Sequence, residues 1–197
     1  MTVGPGIPHR VDPGVELLER ALAYTRGALA TVTPDDLCNP TPCDLWRLGD
    51  LLAHMEDSLD AFAEGAAGAV GLRSDAPTPL PARLAALQTK ACGLLGAWTS
   101  ARTSVVDVGG RPVPVATISR VAALEIAVHG WDVGRTTGRG APLPEDFATE
   151  LLPIATIVAN APDARERFAP PVALPPGAGA TASTRLLSLL GRRAGDP

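Results

Sequence analysis

Four long stretches of this chain repeat apolar residues at the period of an α-helix, and proline or glycine interrupts the segments that join them. The first runs from Val15 to about Val32, with Val15, Leu18, Leu22 and Leu29 on one side and Leu17, Ala21, Tyr24 and Ala28 widening the stripe. The second begins near Cys43 or Asp44 and runs towards Gly65 or Gly68 on a seam of Leu48, Leu51, Leu52, Met55, Leu59 and Phe62. The third covers Ala82 to about Ser100 through Leu84, Leu87, Ala91, Leu94, Leu95 and Trp98. The fourth spans about Thr117 to Thr137 and stops at Gly138, a residue suited to the turn that ends a helix.

The connections read as breaks. Thr33-Pro34-Asp35-Asp36 favours a short turn of helix, whereas Asn39-Pro40-Thr41-Pro42 cannot be helical throughout, since each proline also restricts the residue before it. Asp75 to Pro81 is a proline-broken link. Between the third and fourth helices, residues 104–115 place β-branched runs on either side of Gly109-Gly110, which suggests a small hairpin or extended excursion. Phe147 to Ala159 predicts a fifth helix with a kink or boundary at Pro153, Ala169–Gly179 an irregular proline-rich segment, and Ser183–Leu190 a short amphipathic helix. The expectation is an all-α fold, a four-helix bundle with that hairpin or extended insertion before the fourth helix. Residues 1–13 read as a flexible leader and 14–197 as one domain.

Composition narrows the class of partner. The formal net charge is −4 and the chain has a single lysine, Lys90, a poor electrostatic footprint for nucleic acid or an anionic membrane. Cys38, Cys43 and Cys92 are an odd set without C-x-x-C spacing, which argues against a disulfide framework or a zinc knuckle. No apolar run is long enough to span a bilayer, and the first residues lack the apolar core of a signal peptide. These features predict a cytoplasmic protein with reduced thiols that acts on a small molecule, with a homodimer left open.

Only three residues are histidine. In the fourth helix Ile118, Val121, Ala122, Glu125, Val128, His129 and Asp132 share one face. An acid and an imidazole on an otherwise apolar face are costly to desolvate without compensation, and a divalent metal is one such compensation. Taken alone, E-x-x-x-H is more often a buried hydrogen-bonded pair than a metal site. His54 lies on the flank of the second helix's seam, where a boundary histidine is the ordinary reading. Even so, His54 and His129 are the histidines within bundle helices, and with Glu125 they make a two-histidine, one-carboxylate set suited to Zn²⁺ or Fe²⁺.

The stretch Pro40-Thr41-Pro42-Cys43-Asp44-Leu45-Trp46, followed by Leu51-Leu52-Ala53-His54, resembles the second helix of the DinB-like metal-dependent bundles. The run Glu125-Ile126-Ala127-Val128-His129-Gly130-Trp131-Asp132 is similar to the fourth helix of the branch that contains mycothiol-dependent maleylpyruvate isomerase, and the tail Arg185 to Arg192 resembles the end of that branch's single-domain members. The resemblance implies a DinB-like bundle that binds a divalent metal, usually zinc, through His54, Glu125 and His129, and mycothiol as the co-substrate. The isomerase carries a further C-terminal α/β domain that contributes to its substrate site. Only 28 residues follow Ala169 here, so the specific isomerase reaction does not follow.

The reading that results is a metal-dependent enzyme of the isomerase or S-transferase type, in which the metal activates a thiol cofactor for attack on an electrophilic small molecule. Two others stand beside it: a metal-activated-water hydrolase or Lewis-acid isomerase or cyclase without thiol, and a non-catalytic metal- or ligand-binding protein. Asp132 either orients His129 as an outer-shell acceptor or forms a salt bridge with Arg135 or Arg139. Trp46 and Trp131 read as packing, and Cys43 as a small buried residue at a helix start. Arg102, Arg111 and Arg120 are candidates for a substrate carboxylate, with nothing to choose between them.

Overall fold

In a computed structural model of the chain, which describes residues 12–43, 46–67, 78–100, 104–108, 110–162, 164, 168–174 and 179–193, the first helix starts at a polar cap. Asp12 Oδ1 accepts from the Gly14 backbone N–H at 2.7 Å, and Pro13 fits the first turn because it has no N–H to satisfy. Helix α1 is Pro13–Leu29, so residues 12 and 13 belong to the folded part, while the rest of the expected leader lies outside the described residues. The short 3₁₀ turn at Pro34–Asp36 follows, held by Asp36 accepting from both the backbone N–H and the hydroxyl of Thr33, each at 2.8 Å.

Helix α2 is Leu48–Ala67, which corrects the expected start near Cys43 or Asp44. The backbone before it is spent on a different structure. Pro40 and Arg47 form an isolated antiparallel bridge, Thr41 N–H and Oγ1 both donate to the Trp46 carbonyl at 3.1 and 2.9 Å, and Leu48 N–H reaches back to Asn39 O at 3.0 Å. Asp44, Leu45 and residues 68–77, which include Asp75 to Pro77 of the expected connection, lie outside the described residues. Helix α3 is Leu80–Ser100, tied to α2 by Lys90, which pairs with Glu56 at 2.7 Å and Asp60 at 2.5 Å.

The excursion is a two-stranded antiparallel hairpin, β1 (Val105–Val108) and β2 (Arg111–Pro114), with Val106 opposite Val113 and only Val106 buried. Its last residue leads directly into α4 (Val115–Thr137), which ends at Gly138 with φ 65°, a left-handed conformation that favours glycine. Helix α5 (Glu145–Ala159) runs through Pro153 rather than ending there, and α6 (Ala182–Leu189) is the amphipathic tail helix.

Helix α4 is the axis of the molecule. From Ala122 to Gly134 every residue except Glu125 is buried, because α1, α2 and α5 all pack on it. The α1–α4 seam is closest at Gly130, where an added Cβ would lie 2.2 Å from Thr25 Oγ1 and 3.0 Å from Thr25 Cα. Thr25 Oγ1 in turn donates to Ile126 O at 2.8 Å, which satisfies the hydroxyl inside the seam. The core on either side is aliphatic, led by Leu18, Leu51, Leu52, Leu87, Leu94, Leu151 and Leu186.

This packing predicts opposite effects for two glycine-to-alanine changes. Gly130→Ala should destabilise by about 1–3 kcal/mol through overpacking, read as a lower denaturant midpoint. Gly93→Ala, at a helical position with nothing within 4 Å of the new methyl, should stabilise by roughly 0.5–1 kcal/mol.

Candidate metal centre

The spacing of Glu125, His129 and Asp132 on one face of α4 stacks three polar side chains along the inside of the bundle. Helix α2 brings His54 opposite them. Glu125 Oε1 is 2.8 Å from His54 Nε2 and 3.1 Å from His129 Nε2, so a single carboxylate oxygen is shared by two imidazoles from different helices. One ligand-type atom from each of His54, Glu125 and His129 lies within 4.8 Å of the others. His129 is buried, while the His54 and Glu125 side chains are 33% and 22% exposed, so the cluster has one dry side and one approachable side.

The other ring nitrogen of His129 is also engaged. Nδ1 donates to Asp132 Oδ2 at 3.0 Å, and Asp132, with no exposed side-chain surface, is met by Arg192: Nη2 to Oδ2 at 2.8 Å and Nε to Oδ1 at 3.3 Å. Asp132 therefore does both things considered for it, but its ionic partner is neither Arg135 nor Arg139. Arg135 lies over the Trp131 ring at 5.7 Å, and Arg139 pairs with Asp36.

Arg192 reaches this position because of the turn after α6. Gly191 adopts φ 79°, and Arg192 N–H bonds back to Leu187 O at 2.8 Å, so the chain reverses and drives the guanidinium inward. A Cβ at Gly191 would also stand 2.7 Å from Ala169 Cβ. Sequence reading placed Arg192 at the end of a tail and gave it no role. The only local signal was a glycine–arginine pair after an amphipathic helix.

The protonation states follow from these contacts. Burial opposes charge on each group, but the neighbours outweigh it. For Glu125 the charge and hydrogen bond of His129, then those of His54, hold the carboxyl well below the usual range. Burial would depress His129, yet the Glu125 carboxylate and the Asp132 hydrogen bond raise it to about 9. Asp132 is held below the ordinary carboxylate value by Arg192 and His129 against its own desolvation. As an imidazolium, His129 can donate from both ring nitrogens, one to each carboxylate, as the distances show.

Trp46 is a wall of the site rather than core packing alone. Its ring is 4.4 Å from the His54 ring and 6.1 Å from that of His129, centroid to centroid. With Cys43, Phe168, Val121 and Arg192 it encloses a cavity of about 270 Å³ onto which His54, Glu125 and His129 all open. Cys43 is thus half-buried beside the cluster in an irregular segment, not at the start of a helix. Of the proposed carboxylate-binding arginines, Arg111 and Arg120 are exposed and line no part of this cavity, and Arg102 lies outside the described residues.

The donor set fits a divalent ion. Two imidazole nitrogens and a carboxylate oxygen are the ligand types of zinc, and Asp132 already holds the other ring nitrogen of His129. An ion bound at about 2.0–2.1 Å in a tetrahedral set needs its donors about 3.4 Å apart, only a few tenths wider than the two hydrogen-bonded contacts seen here.

The buried pair makes a strong stability prediction. Arg192→Met leaves the buried Asp132 with His129 as its remaining charged partner and should cost up to about 3–5 kcal/mol, and adding Asp132→Asn should return part of that loss. Urea denaturation of the two single variants and the double variant measures the coupling; additive losses would show that the pair is not energetically linked.

Comparison with known proteins places the chain in a family. Two uncharacterized proteins from two strains of Mycobacterium tuberculosis are each 26% identical over 150 residues, covering 70% of this chain and 74% of theirs. The crystal structure of the mycothiol-dependent maleylpyruvate isomerase superposes with a TM-score of 0.57 at 18% identity, over 81% of this chain and 71% of that one. A histidine-to-alanine mutant of that enzyme gives the same score and coverage at 17% identity, and at these identities the match establishes the shared fold. The profile of the mycothiol maleylpyruvate isomerase N-terminal domain matches residues 18–134, more than half of the sequence, and the chain belongs to that family.

Proposed function

We infer that the protein is a metal-dependent enzyme of the mycothiol-dependent isomerase or S-transferase type, with zinc held by His54, Glu125 and His129. The observation that carries this reading is the convergence of those three donors on a cavity whose lining also includes the buried Arg192. Membership of the isomerase family supports mycothiol as the thiol. A divalent ion bound there would lower the pKa of a thiol or water at its open position and so supply a nucleophile near neutral pH.

The chain's own residues do the rest. Asp132 keeps the proton on His129 Nδ1, which turns Nε2 toward the centre and fixes the tautomer a ligand needs. Arg192 keeps Asp132 ionised so that it goes on accepting that bond. Trp46 and Phe168 restrict water at the cavity, which strengthens electrostatic interactions inside it. Ser58 Oγ lies 3.3 Å from His54 Nε2 and braces the imidazole while it shares Glu125.

Metal analysis and spectroscopy test the proposal. Wild-type protein should take up one zinc and His54→Ala should not; equal zinc in both would remove His54 from the ligand set. Asp132→Asn should weaken zinc binding by roughly 10–100-fold. Because metal must displace the His129 Nε2 proton, affinity should rise with pH by roughly tenfold per unit, and should level off above about 9. A pH-independent affinity between 6.5 and 9 would show that metal binding displaces no proton from His129. On the cobalt-substituted protein, mycothiol should produce sulfur-to-metal absorbance. A cobalt spectrum unchanged by mycothiol would point instead to activation of water.

A further inference from the structure

The cluster has a second side. Glu125 and His129 also line a larger cavity, of about 590 Å³, bounded by α1, α2 and α3. Its walls are mainly aliphatic, with Leu22, Leu29, Met55, Leu59, Leu84 and Leu95 around it. Apart from Glu125 and His129, the charged residues in its lining among the described residues are the exposed Glu19 and Arg26 on α1. The space exists because the facing positions are small: Ala23 and Ala30 on α1, Ala91 and Cys92 on α3. Where α1 meets α4 the same helix is packed to contact at Gly130, so α1 is not loosely held. Ala23, Ala30, Gln88 and Cys92 of its lining are exposed, so the space opens to solvent along one side, and between the helices of a bundle such an apolar cleft suits a small molecule.

We propose that this α1–α2–α3 cavity holds the apolar body of the substrate, which makes the electrophile a molecule with an extended alkyl or aryl group rather than a small dicarboxylic acid. The inference rests on the metal-centre reading for what happens at the Glu125–His129 end, and on cavity size and lining for the substrate class. The two cavities divide the work. The smaller one, with Arg192 and Trp46, is the more polar approach, and the larger accepts hydrocarbon. A small dicarboxylate would leave most of the larger cavity unfilled and would find one exposed arginine, Arg26, in its lining.

The cysteines supply built-in reporters, since Cys92 lines the larger cavity, Cys43 the smaller, and Cys38 is exposed and lines neither. Zinc-loaded full-length protein is titrated with phenylnaphthylamine, an uncharged probe that fluoresces in apolar surroundings. Saturable binding is expected, with decanoate competing and maleate not. The bound probe should slow iodoacetamide alkylation of Cys92 and leave Cys38 unaffected, a readout that needs no variant. Ala91→Trp, which fills the cavity, should weaken the probe by tenfold or more with zinc content unchanged. Equal competition by maleate, unprotected Cys92, or undiminished binding in a folded Ala91→Trp protein would each overturn the proposal. Wild-type protein that takes up no zinc yet binds the probe would keep the apolar site and remove the metal-centre reading, so the two fail separately.

Discussion

Everything at the centre of this molecule depends on one chain of charge. Arg192 meets Asp132, Asp132 holds His129, His129 shares Glu125 with His54, and so the tail, α4 and α2 are joined through side chains rather than backbone. Each member would be unfavourable in the interior by itself, because desolvation of an ion outweighs what an isolated partner returns. Together they satisfy one another, and the apolar packing around them can close. The consequence is directional: the tail after α6 is required for the arrangement, although it contributes no donor to the three-residue cluster.

Packing around α4 is uneven in a way that serves the same end. On the α1 side, Gly130 lets Thr25 approach until the two backbones nearly touch, which locks the register of α4 and therefore the depth of Glu125 and His129. On the α3 side the facing residues are small but do not interlock, and space remains. A helix fixed on one face and open on the other presents its polar residues in a constant position to whatever enters. That is the structural condition for a preorganised site.

How much of this was legible in the sequence varies with the kind of interaction. The helices showed themselves through apolar period: α3, α4 and the seam Leu48–Leu59 were readable because burial of one face leaves a repeating trace. The start of α2 did not, because the bridge between Pro40 and Arg47 and the carbonyl contacts of Thr41 are backbone economies without periodicity. Glu125, His129 and Asp132 were visible as polar residues on an apolar face. Their convergence with His54 needed the bundle, and Arg192 was invisible. Its contact with Asp132 spans 60 residues of sequence and depends on the positive φ of Gly191. Trp46 was read as packing, and it does pack against the core, but its second role was hidden, since an aromatic near a helix start looks alike whether or not it also covers a histidine.

The charge balance of the cluster explains why one arrangement can serve both the empty and the loaded state. With His129 protonated, the two cations Arg192 and His129 offset the two carboxylates Asp132 and Glu125, so the interior is close to neutral and stable. Replacing the single imidazolium proton by a divalent ion adds one net positive charge at that point. That charge cannot be neutralised from within, because Asp132 is committed to Arg192 and His129 and Glu125 is already shared between two imidazoles. It would be met by an anion in the cavity lined by Trp46 and Arg192, either one that enters or the thiolate of Cys43 in its wall. Under the proposed metal-bound reading, a preference for a thiolate or another anionic group would therefore be a property of the whole charge chain, and a change at Arg192, remote from the donors, would alter what the site attracts.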